Sequence, residues 1–315
     1  MPRYNIVIVA DEGYVQHAAV MLCSLFNTNK GKVFHIYLLT NGISELNEHR
    51  LQRLCSEYGS YIEVIIPEEK LSSHLDIDLS SLPVGQWTTM MYYKLFIPIV
   101  LPENIERCLF LDVDMIINDD IEELYQWNLE NNVIAAAEDM PDCMEIKKRI
   151  GLSQEDWYIN SGVMVCDILK WRKAESSCPI IVFVKEVKDI ITNEQDVIAL
   201  YFRNRITILP IRWNMVTFYF QRVPKIFSKY IPELKEAKLH PSIIHFACPI
   251  KPWFRDSQHP YRKLYKKYLL MTEWGREYSF PIFEQLSHRK RFKKKFRNFL
   301  NRVGIIKDKG YTIIC

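Results

Sequence analysis

Residues 109–117 read Leu-Phe-Leu-Asp-Val-Asp-Met-Ile-Ile, so two carboxylates stand one residue apart inside an apolar run. A run this apolar, followed at once by the polar residues 118–120, predicts a buried strand. In a strand the side chains of Asp112 and Asp114 leave on one face and Val113 on the other. Two buried carboxylates this close repel each other unless a cation lies between them. The stretch therefore predicts a divalent cation held by oxygen ligands; the alternative is two solvated aspartates at a frayed strand end.

The composition is that of a folded globular protein. The chain has 315 residues, of which 48% are hydrophobic and 25% charged, so disorder is not expected. The apolar run at residues 4–10 is too short for a signal peptide, and no window reaches the roughly 18 apolar residues of a membrane-spanning helix. The eight cysteines include no Cys-x-x-Cys pair, which favours reduced thiols in a cytoplasmic protein over disulfides or a zinc site.

Positive charge is concentrated at the C-terminal end. Residues 288–315 contain ten Lys and Arg against one Asp, or +9, so the net charge of +3 leaves 3 − 9 = −6 for the rest. Within this segment apolar residues have the spacing of one helix face, at positions 292, 296, 299, 300 and 303. A basic amphipathic helix is typical of a peripheral anchor on an anionic membrane. A solvated charge run or a nucleic-acid contact is the alternative, but no base-stacking motif accompanies the charge, so no nucleic-acid partner is expected.

Strands alternate with helices along the preceding residues. The pattern predicts strands at 4–10, 34–39, 61–66, 109–117, 133–137, 206–209 and 242–246, and another within 157–167 after the turn Asn160-Ser161-Gly162. It predicts helices at 14–26, 44–58, 90–100, 121–127, 168–188 and 194–201. Pro179 must break the helix at 168–188 or begin a second one. This order predicts an α/β fold with a mostly parallel central sheet, in which ligands bind beyond the carboxyl ends of strands. The polar residues near strand ends, expected to share one crevice, are Asp11, Asp112, Asp114, Asn160 and His245.

His245 stands in the apolar run Ile243-Ile244-His245-Phe246, and Lys251-Pro252-Trp253 follows it. A lone histidine in such a strand is more often a core residue with a satisfied hydrogen bond. Together with an Asp-x-Asp pair it is also a candidate ligand, and two carboxylates with one imidazole favour Mn²⁺, with Mg²⁺ as the alternative. Lys251 would then neutralise phosphates bound to the same ion.

The chain resembles glycosyltransferase family 8, in particular the retaining glucosyl- and galactosyltransferases of bacterial lipooligosaccharide and lipopolysaccharide synthesis. The resemblance rests on several motifs in order: Val-Ala-Asp-Glu-Gly-Tyr (9–14), Tyr-Tyr-Lys-Leu (92–95), Phe-Leu-Asp-Val-Asp (110–114), Tyr-Ile-Asn-Ser-Gly-Val (158–163), Glu-Gln-Asp-Val (194–197) and His245 through Trp253. The charge pattern predicts a basic C-terminal membrane-association tail over 276–315, and the resemblance implies a GT-A (Rossmann-like) catalytic domain over residues 1–275. It also implies a hexose, glucose or galactose, moved from a UDP-sugar to a glycan or glycolipid acceptor at the cytoplasmic face of the inner membrane.

The resemblance also implies a role for individual residues. Asp112, Asp114 and His245 match the manganese ligands. Gln195, Asp139 and Glu194 match catalytic positions in the donor-sugar pocket, where Gln195 lies under the anomeric carbon. The residues that match other donor-binding positions are Ala10, Asp11, Tyr14, Lys94, Asp112, Val113, Asn160, Cys248 and Lys251.

Three of these positions depart from the family pattern. Lys94 stands where the family usually has Arg, Glu194 replaces Asp, and Cys248 stands where Gly is common, so the donor sugar is undecided. Two other functions compete: a haloacid-dehalogenase-type phosphohydrolase, which also has Asp-x-Asp after a strand, and a non-catalytic membrane-associated scaffold that binds nucleotides or glycans. The aromatic residues at 213 and 218–220 are candidates either for stacking on acceptor sugars or for the core.

Overall fold

The large central sheet decides where every functional residue lies. The structure, a computed structural model, describes residues 3–71, 79–84, 88–140, 143–221, 224, 226–283, 292, 293, 296, 297, 299, 300, 303 and 305. Its strands are β1 Arg3–Val9, β2 Val33–Leu39, β3 Tyr61–Ile65, β4 Arg107–Leu111, β5 Met115–Ile117, β6 Ile134–Ala136, β7 Val163–Asp167, β8 Ile206–Ile208, β9 Met215–Val216 and β10 Ile243–His245.

Helices cover both faces of this sheet. They are α1 Val15–Thr28, α2 Glu45–Glu57, α3 Pro67–Leu71, α4 Ile97–Val100, α5 Glu122–Tyr125, α6 Cys143–Ile150, α7 Ile168–Ser177, α8 Ile180–Val187, α9 Glu194–Tyr201, α10 Ile231–Leu239 and α11 Arg262–Leu269. Single 3₁₀ segments are Leu79–Ser81, Thr89–Phe96, Ile211–Asn214, Thr217–Phe220, Ser228–Tyr230 and Glu273–Arg276.

The seven-stranded sheet has the order β3-β2-β1-β4-β7-β6-β8, and a three-stranded sheet has the order β5-β10-β9. Neighbours in the large sheet are parallel except that β7 runs antiparallel to both β4 and β6. The mostly parallel α/β sheet predicted from the sequence is confirmed. Because β7 runs the opposite way, its beginning meets the ends of β1, β4 and β6 at one edge.

The core explains why the central strands are apolar almost throughout. In β1, Ile6 and Ile8 pack into one buried cluster with α1, whereas Val7 packs on the opposite face with Phe110 of β4. A strand covered on both faces has no polar side, so it reads as a continuous apolar run. The predicted helix at 168–188 is two helices, because Pro179 lies at the N-cap of α8.

One predicted strand is wrong in its extent. The strand expected over 109–117 is two strands in different sheets, since β4 ends at Leu111 and β5 begins at Met115. The two aspartates therefore lie on a link between the sheets and not in the interior of one strand. The backbone explains the break, because Asp112 N–H donates to the Gly162 carbonyl at 2.8 Å and Phe246 N–H donates to the Asp114 carbonyl at 2.9 Å.

Among the described residues, no helix combines the length and the apolar character needed to cross a bilayer. The division into residues 1–275 and 276–315 stays a prediction, and most of the basic tail lies outside the described residues. Of its predicted apolar face, Phe292, Phe296, Phe299 and Val303 are exposed and Leu300 is half-buried. The described cysteines are free thiols; most are buried, whereas Cys178 is exposed and Cys248 half-buried.

His17 joins α1 to the C-terminal part of the domain. It is 3% exposed, its Nδ1 lies 2.6 Å from the Tyr265 hydroxyl, and its ring stacks on Trp253 with centroids 3.6 Å apart. Burial lowers the pKa of His17 to about 3, with Asp114 opposing the shift and Lys251 adding to it. The imidazole is therefore neutral in the folded protein at pH values where the unfolded chain binds a proton.

This histidine makes stability depend on pH. A folded-state pKa below the unfolded value means that stability is fully present above about pH 6.5 and is lost as the pH falls toward 3. Between about pH 7 and about pH 5, the free energy of unfolding should fall about 2 kcal/mol more in the wild type than in His17→Gln. Urea unfolding of both proteins across this range measures the difference, and equal slopes would contradict the assignment.

Candidate active site

Two carboxylates and one imidazole converge where the two sheets meet. His245 ends β10 and pairs with Met115 across the small sheet, next to Asp114. Its Nε2 lies 3.3 Å from Asp114 Oδ1 and 3.8 Å from Asp112 Oδ2. Asp114 is only 9% exposed, so the alternative of a solvated strand end does not hold for it.

This cluster has the dimensions of a cation site. One ligand atom from each of Asp112, Asp114 and His245 lies within 4.8 Å of the others. Ligand bonds of about 2.0–2.2 Å put the ligands of one ion about 3–4.4 Å apart, close to this spacing. Oxygen and nitrogen donors of this kind suit Mn²⁺, and Mg²⁺ less well.

Gly162 leaves the space that the candidate ligand side chains occupy. A Cβ added there would lie 2.6 Å from His245 Cε1, 2.7 Å from Asp112 Oδ2 and 3.0 Å from Asn160 Oδ1. Real Cβ atoms do not approach other atoms so closely, so any larger residue would push the ligands apart. The residues present therefore fit a bound cation, both in donor chemistry and in the room beside them.

Lys251 forms an ion pair with Asp114. Its Nζ is 2.5 Å from Asp114 Oδ2 and donates to the Phe246 carbonyl at 2.9 Å. Burial alone would raise the pKa of Asp114, but Lys251 and His245 outweigh it and hold that pKa below its ordinary value. Burial would likewise lower the pKa of Lys251, and Asp114 raises it instead. Both groups are therefore charged at neutral pH.

Lys94 pairs with Asp112 as Lys251 pairs with Asp114. It is 4% exposed, and its Nζ lies 2.8 Å from Glu194 Oε1, 3.3 Å from Asp112 Oδ1 and 3.3 Å from Ser161 Oγ. Burial opposes the charge, but Asp112 and Glu194 raise the pKa of Lys94 above its ordinary value. The Glu194 carboxylate thus has two partners, the Lys94 ammonium and the Ser161 hydroxyl, which donates to it at 3.0 Å.

Gln195 is held at both ends of its amide. Its Nε2 donates to Asp139 Oδ2 at 2.8 Å, and its Oε1 accepts from the Ser161 N–H at 3.1 Å. The residue lies in the first turn of α9, whose N-cap Asn193 accepts from the Asp196 N–H. The sequence-predicted residues Gln195, Asp139 and Glu194 therefore lie in one network that also contains Lys94.

Asp11 and Tyr14 follow the end of β1. Asp11 Oδ1 accepts the Tyr14 N–H at 2.9 Å, and the preceding Ala10 is buried. The Tyr14 ring is 41% exposed and packs edge-on against Trp253 at 5.9 Å. Burial raises the pKa of the Tyr14 phenol, with Lys251 opposing the shift and Asp114 adding to it, so this end of the crevice adjoins the carboxylate cluster.

Sequence reasoning missed Asn214, which is 1% exposed. Its side chain contacts both His245 and Asn160, and the available signal was a lone amide in the run Trp213-Asn214-Met215-Val216. Of the neighbouring aromatic residues, Trp213, Tyr219 and Phe220 belong to the core, each at most 1% exposed. Phe218 is half-buried.

Residues 5–257 match the family model described as Glycosyl transferase family 8. The chain belongs to this family. The resemblance inferred from the motifs is confirmed, and membership supports a transferase with a nucleotide-sugar donor and a glycan acceptor. Membership in this family argues against the phosphohydrolase alternative.

Two curated relatives and one solved structure illustrate the likeness. General stress protein A of Bacillus subtilis (strain 168) is 28% identical over 278 residues, covering 86% of this chain and 94% of that protein. Lipopolysaccharide 1,2-glucosyltransferase of Escherichia coli (strain K12) is 24% identical over 277 residues, covering 86% and 78%. The crystal structure of galactosyltransferase LgtC in complex with donor and acceptor sugar analogs matches with a TM-score of 0.69 at 20% identity, covering 92% of this chain and 99% of that one. The predicted GT-A fold is confirmed.

Gly162→Ala tests the space beside the carboxylates. The added methyl group would displace two of the three candidate ligands, so Mn²⁺ affinity should fall by a factor of about 100 or more while the fold is retained. Electron paramagnetic resonance of free Mn²⁺ measures the affinity, and thermal unfolding of the metal-free protein checks the fold. Gly13→Ala is the matched control, because its Cβ would meet only Asp11 Oδ1 at 3.3 Å; equal affinity in both variants would argue against a cation at this position.

Proposed function

We propose that the protein is a Mn²⁺-dependent retaining glycosyltransferase that moves glucose or galactose from a UDP-sugar to a lipid-linked or surface glycan such as lipopolysaccharide core. The observation that carries the proposal is the cluster of Asp112, Asp114 and His245 within 4.8 Å of one another. It lies beside a half-buried Gln195–Asp139 pair, in a chain of glycosyl transferase family 8. Mg²⁺ is the alternative ion.

Asp112, Asp114 and His245 would hold the ion. When bound, it supplies Lewis-acid stabilisation of the negative charge that develops on the departing diphosphate. Lys251 adds a second positive charge at the same place, since its Nζ already lies 2.5 Å from Asp114. An ammonium group acts as a point charge toward phosphate oxygens and requires no fixed bidentate geometry. Val113 and Cys248 line the donor side in this proposal.

Asp11 and Tyr14 would bind the uridine. The Asp11 carboxylate can accept from the uracil N–H, and the exposed ring of Tyr14 offers a face on which a base can stack, typically for ~1–3 kcal/mol. Burial of Ala10 keeps the backbone beneath the base fixed. The nucleotide would thus lie between the end of β1 and Lys251.

Gln195 and Asp139 would orient the donor sugar. An amide is a poor nucleophile, which favours attack by the acceptor hydroxyl on the face from which the diphosphate departs. The new bond joins the acceptor oxygen to the anomeric carbon, the bond from that carbon to the diphosphate oxygen breaks, and the acceptor proton passes to the leaving diphosphate. Asp139 accepts from the Gln195 amide at 2.8 Å, which keeps the Gln195 side chain oriented toward the donor sugar during the transfer.

The choice between glucose and galactose depends on the donor-sugar pocket. In this chain Glu194 is engaged by Lys94 at 2.8 Å, whereas Asp139, Asn160 and Gln195 are half-exposed. Carboxylate and amide groups of this kind fix the orientation of sugar hydroxyls by hydrogen bonds. The pocket chemistry suits a hexose and does not select its epimer.

The basic tail would hold the enzyme at the cytoplasmic face of the inner membrane. Exposure of Phe292, Phe296 and Phe299 at 72%, 54% and 58% leaves these rings without a place in the core. Each Lys or Arg near an anionic leaflet contributes about 1 kcal/mol. The tail would therefore bring the site to a glycolipid acceptor.

A panel of sugar nucleotides tests the transferase proposal. With Mn²⁺, UDP-glucose or UDP-galactose should be hydrolysed slowly and should raise the melting temperature, whereas GDP- and ADP-sugars should do neither. Asp112→Ala and Asp114→Asn should each lower turnover by several orders of magnitude, because stabilisation of the leaving group is a dominant electrostatic effect. Full activity in chelator, or in either variant, would refute the metal role.

Vesicle binding tests the tail separately. Deletion of residues 288–315 should abolish co-sedimentation with phosphatidylglycerol vesicles and leave hydrolysis of the sugar nucleotide unchanged. Replacement of Phe292, Phe296 and Phe299 by Ser is the matched variant, since it keeps the charge and removes the exposed rings. Unchanged vesicle binding after the deletion would refute the anchor.

A further inference from the structure

A chain of hydrogen bonds connects His245 to the backbone at Gly162. His245 Nδ1 lies 2.9 Å from Asn214 Oδ1, Asn214 Nδ2 donates to Asn160 Oδ1 at 2.8 Å, and the Gly162 N–H donates to the same Asn160 oxygen at 3.1 Å. Asn214 is 1% exposed and His245 3% exposed. Asn214, the middle residue of this hydrogen-bond chain, is thus shielded from water, so its polar atoms depend on partners within the protein.

The backbone N–H at the end of this chain sets the direction of every bond in it. An amide N–H of the main chain can only donate, so Asn160 must present its oxygen to Gly162. That oxygen can accept a second bond but cannot donate, so Asn214 must present its NH₂ group to Asn160. Asn214 then has only its oxygen left for His245. The imidazole therefore carries a proton on Nδ1.

The consequence lies on the other side of the histidine ring. A neutral imidazole with its proton on Nδ1 has a lone pair on Nε2, and Nε2 faces Asp114 Oδ1 at 3.3 Å and Asp112 Oδ2 at 3.8 Å. Three electron-pair donors then point toward one another. Such an arrangement is repulsive by itself and favourable around a cation.

We infer that Asn214 is a positioning residue that fixes the Nδ1–H tautomer and ring orientation of His245, so that Nε2 is ready to bind a divalent cation. The same chain fixes the Asn160 amide, which is left with its NH₂ group to donate to a donor sugar. The cation site and the sugar pocket are thereby aligned through one buried amide. This inference depends on the proposed metal role of His245.

The first test compares Mn²⁺ affinity in variants of the full-length, metal-free protein. Asn214→Leu keeps the approximate size and removes the acceptor, so affinity should fall about 10–100-fold, as is usual when the partner of a metal-binding histidine is lost. Asn214→Asp keeps the acceptor for Nδ1–H and, like the leucine variant, loses the bond donated to Asn160, so its affinity should stay clearly above that of Asn214→Leu. If the leucine variant does not fold, Asn214→Ala takes its place.

Thr217→Val is the matched control. Thr217 is 1% exposed and its hydroxyl donates to the main-chain carbonyl of the same histidine at 3.4 Å, so this variant removes a buried hydrogen bond to His245 without touching its ring. Mn²⁺ affinity should not change. A loss equal to that of Asn214→Leu would mean that general loosening of the core, and not the tautomer, determines affinity.

A double-mutant cycle separates this inference from the proposed function. If Asn214 acts through the imidazole, Asn214→Leu should cause no further loss of Mn²⁺ affinity in a His245→Ala background. Additive losses, or equal affinities of the leucine and aspartate variants, would overturn the positioning role and leave the metal role standing. Wild-type affinity in His245→Ala alone would instead refute the proposed metal role.

Discussion

The site depends on holding together two negative charges, of which Asp114 is shielded from water and Asp112 is half-exposed. At 4.8 Å or less, two carboxylates repel by about 3–4 kcal/mol at an effective dielectric constant of about 20. Each has its own lysine: Lys94 lies at Asp112 Oδ1 and Lys251 at Asp114 Oδ2. The other oxygen of each carboxylate faces His245. One oxygen of each carboxylate is thus paired with a lysine, and the other is available to a cation.

This arrangement requires two sheets and could not be built on one strand. The link between β4 and β5 is bonded at one end to Gly162, which precedes β7, and at the other to Phe246, which follows β10. Its main chain therefore cannot move without disturbing both sheets. The close approach at Gly162, where a Cβ would lie 2.6 Å from the histidine ring, shows how tightly the two sheets are fitted together at this point.

The sequence predicted those parts of the molecule that local patterns determine. Apolar runs located the buried strands, the helix predicted from residue 44 begins there with Ser44 as the N-cap of α2, and Pro179 divides a long helical pattern. Sequence could not reveal that the run 109–117 belongs to two sheets, because each half is equally apolar and only a distant partner, β10, distinguishes them. Asn214 was missed for the same reason: its role is defined by residues 54 and 31 positions away.

The departures of Lys94 and Glu194 from the family pattern are better understood as one change than as two. A lysine offers a single ammonium where an arginine offers a fork, and a glutamate reaches one methylene further than an aspartate. The two side chains meet at 2.8 Å, and Lys94 still lies 3.3 Å from Asp112. The longer acid thus satisfies the lysine charge inside a buried pocket, where an unpaired ammonium would be costly. Charge balance around Asp112 is therefore preserved, which argues against a decayed site and against a scaffold that has only kept the fold.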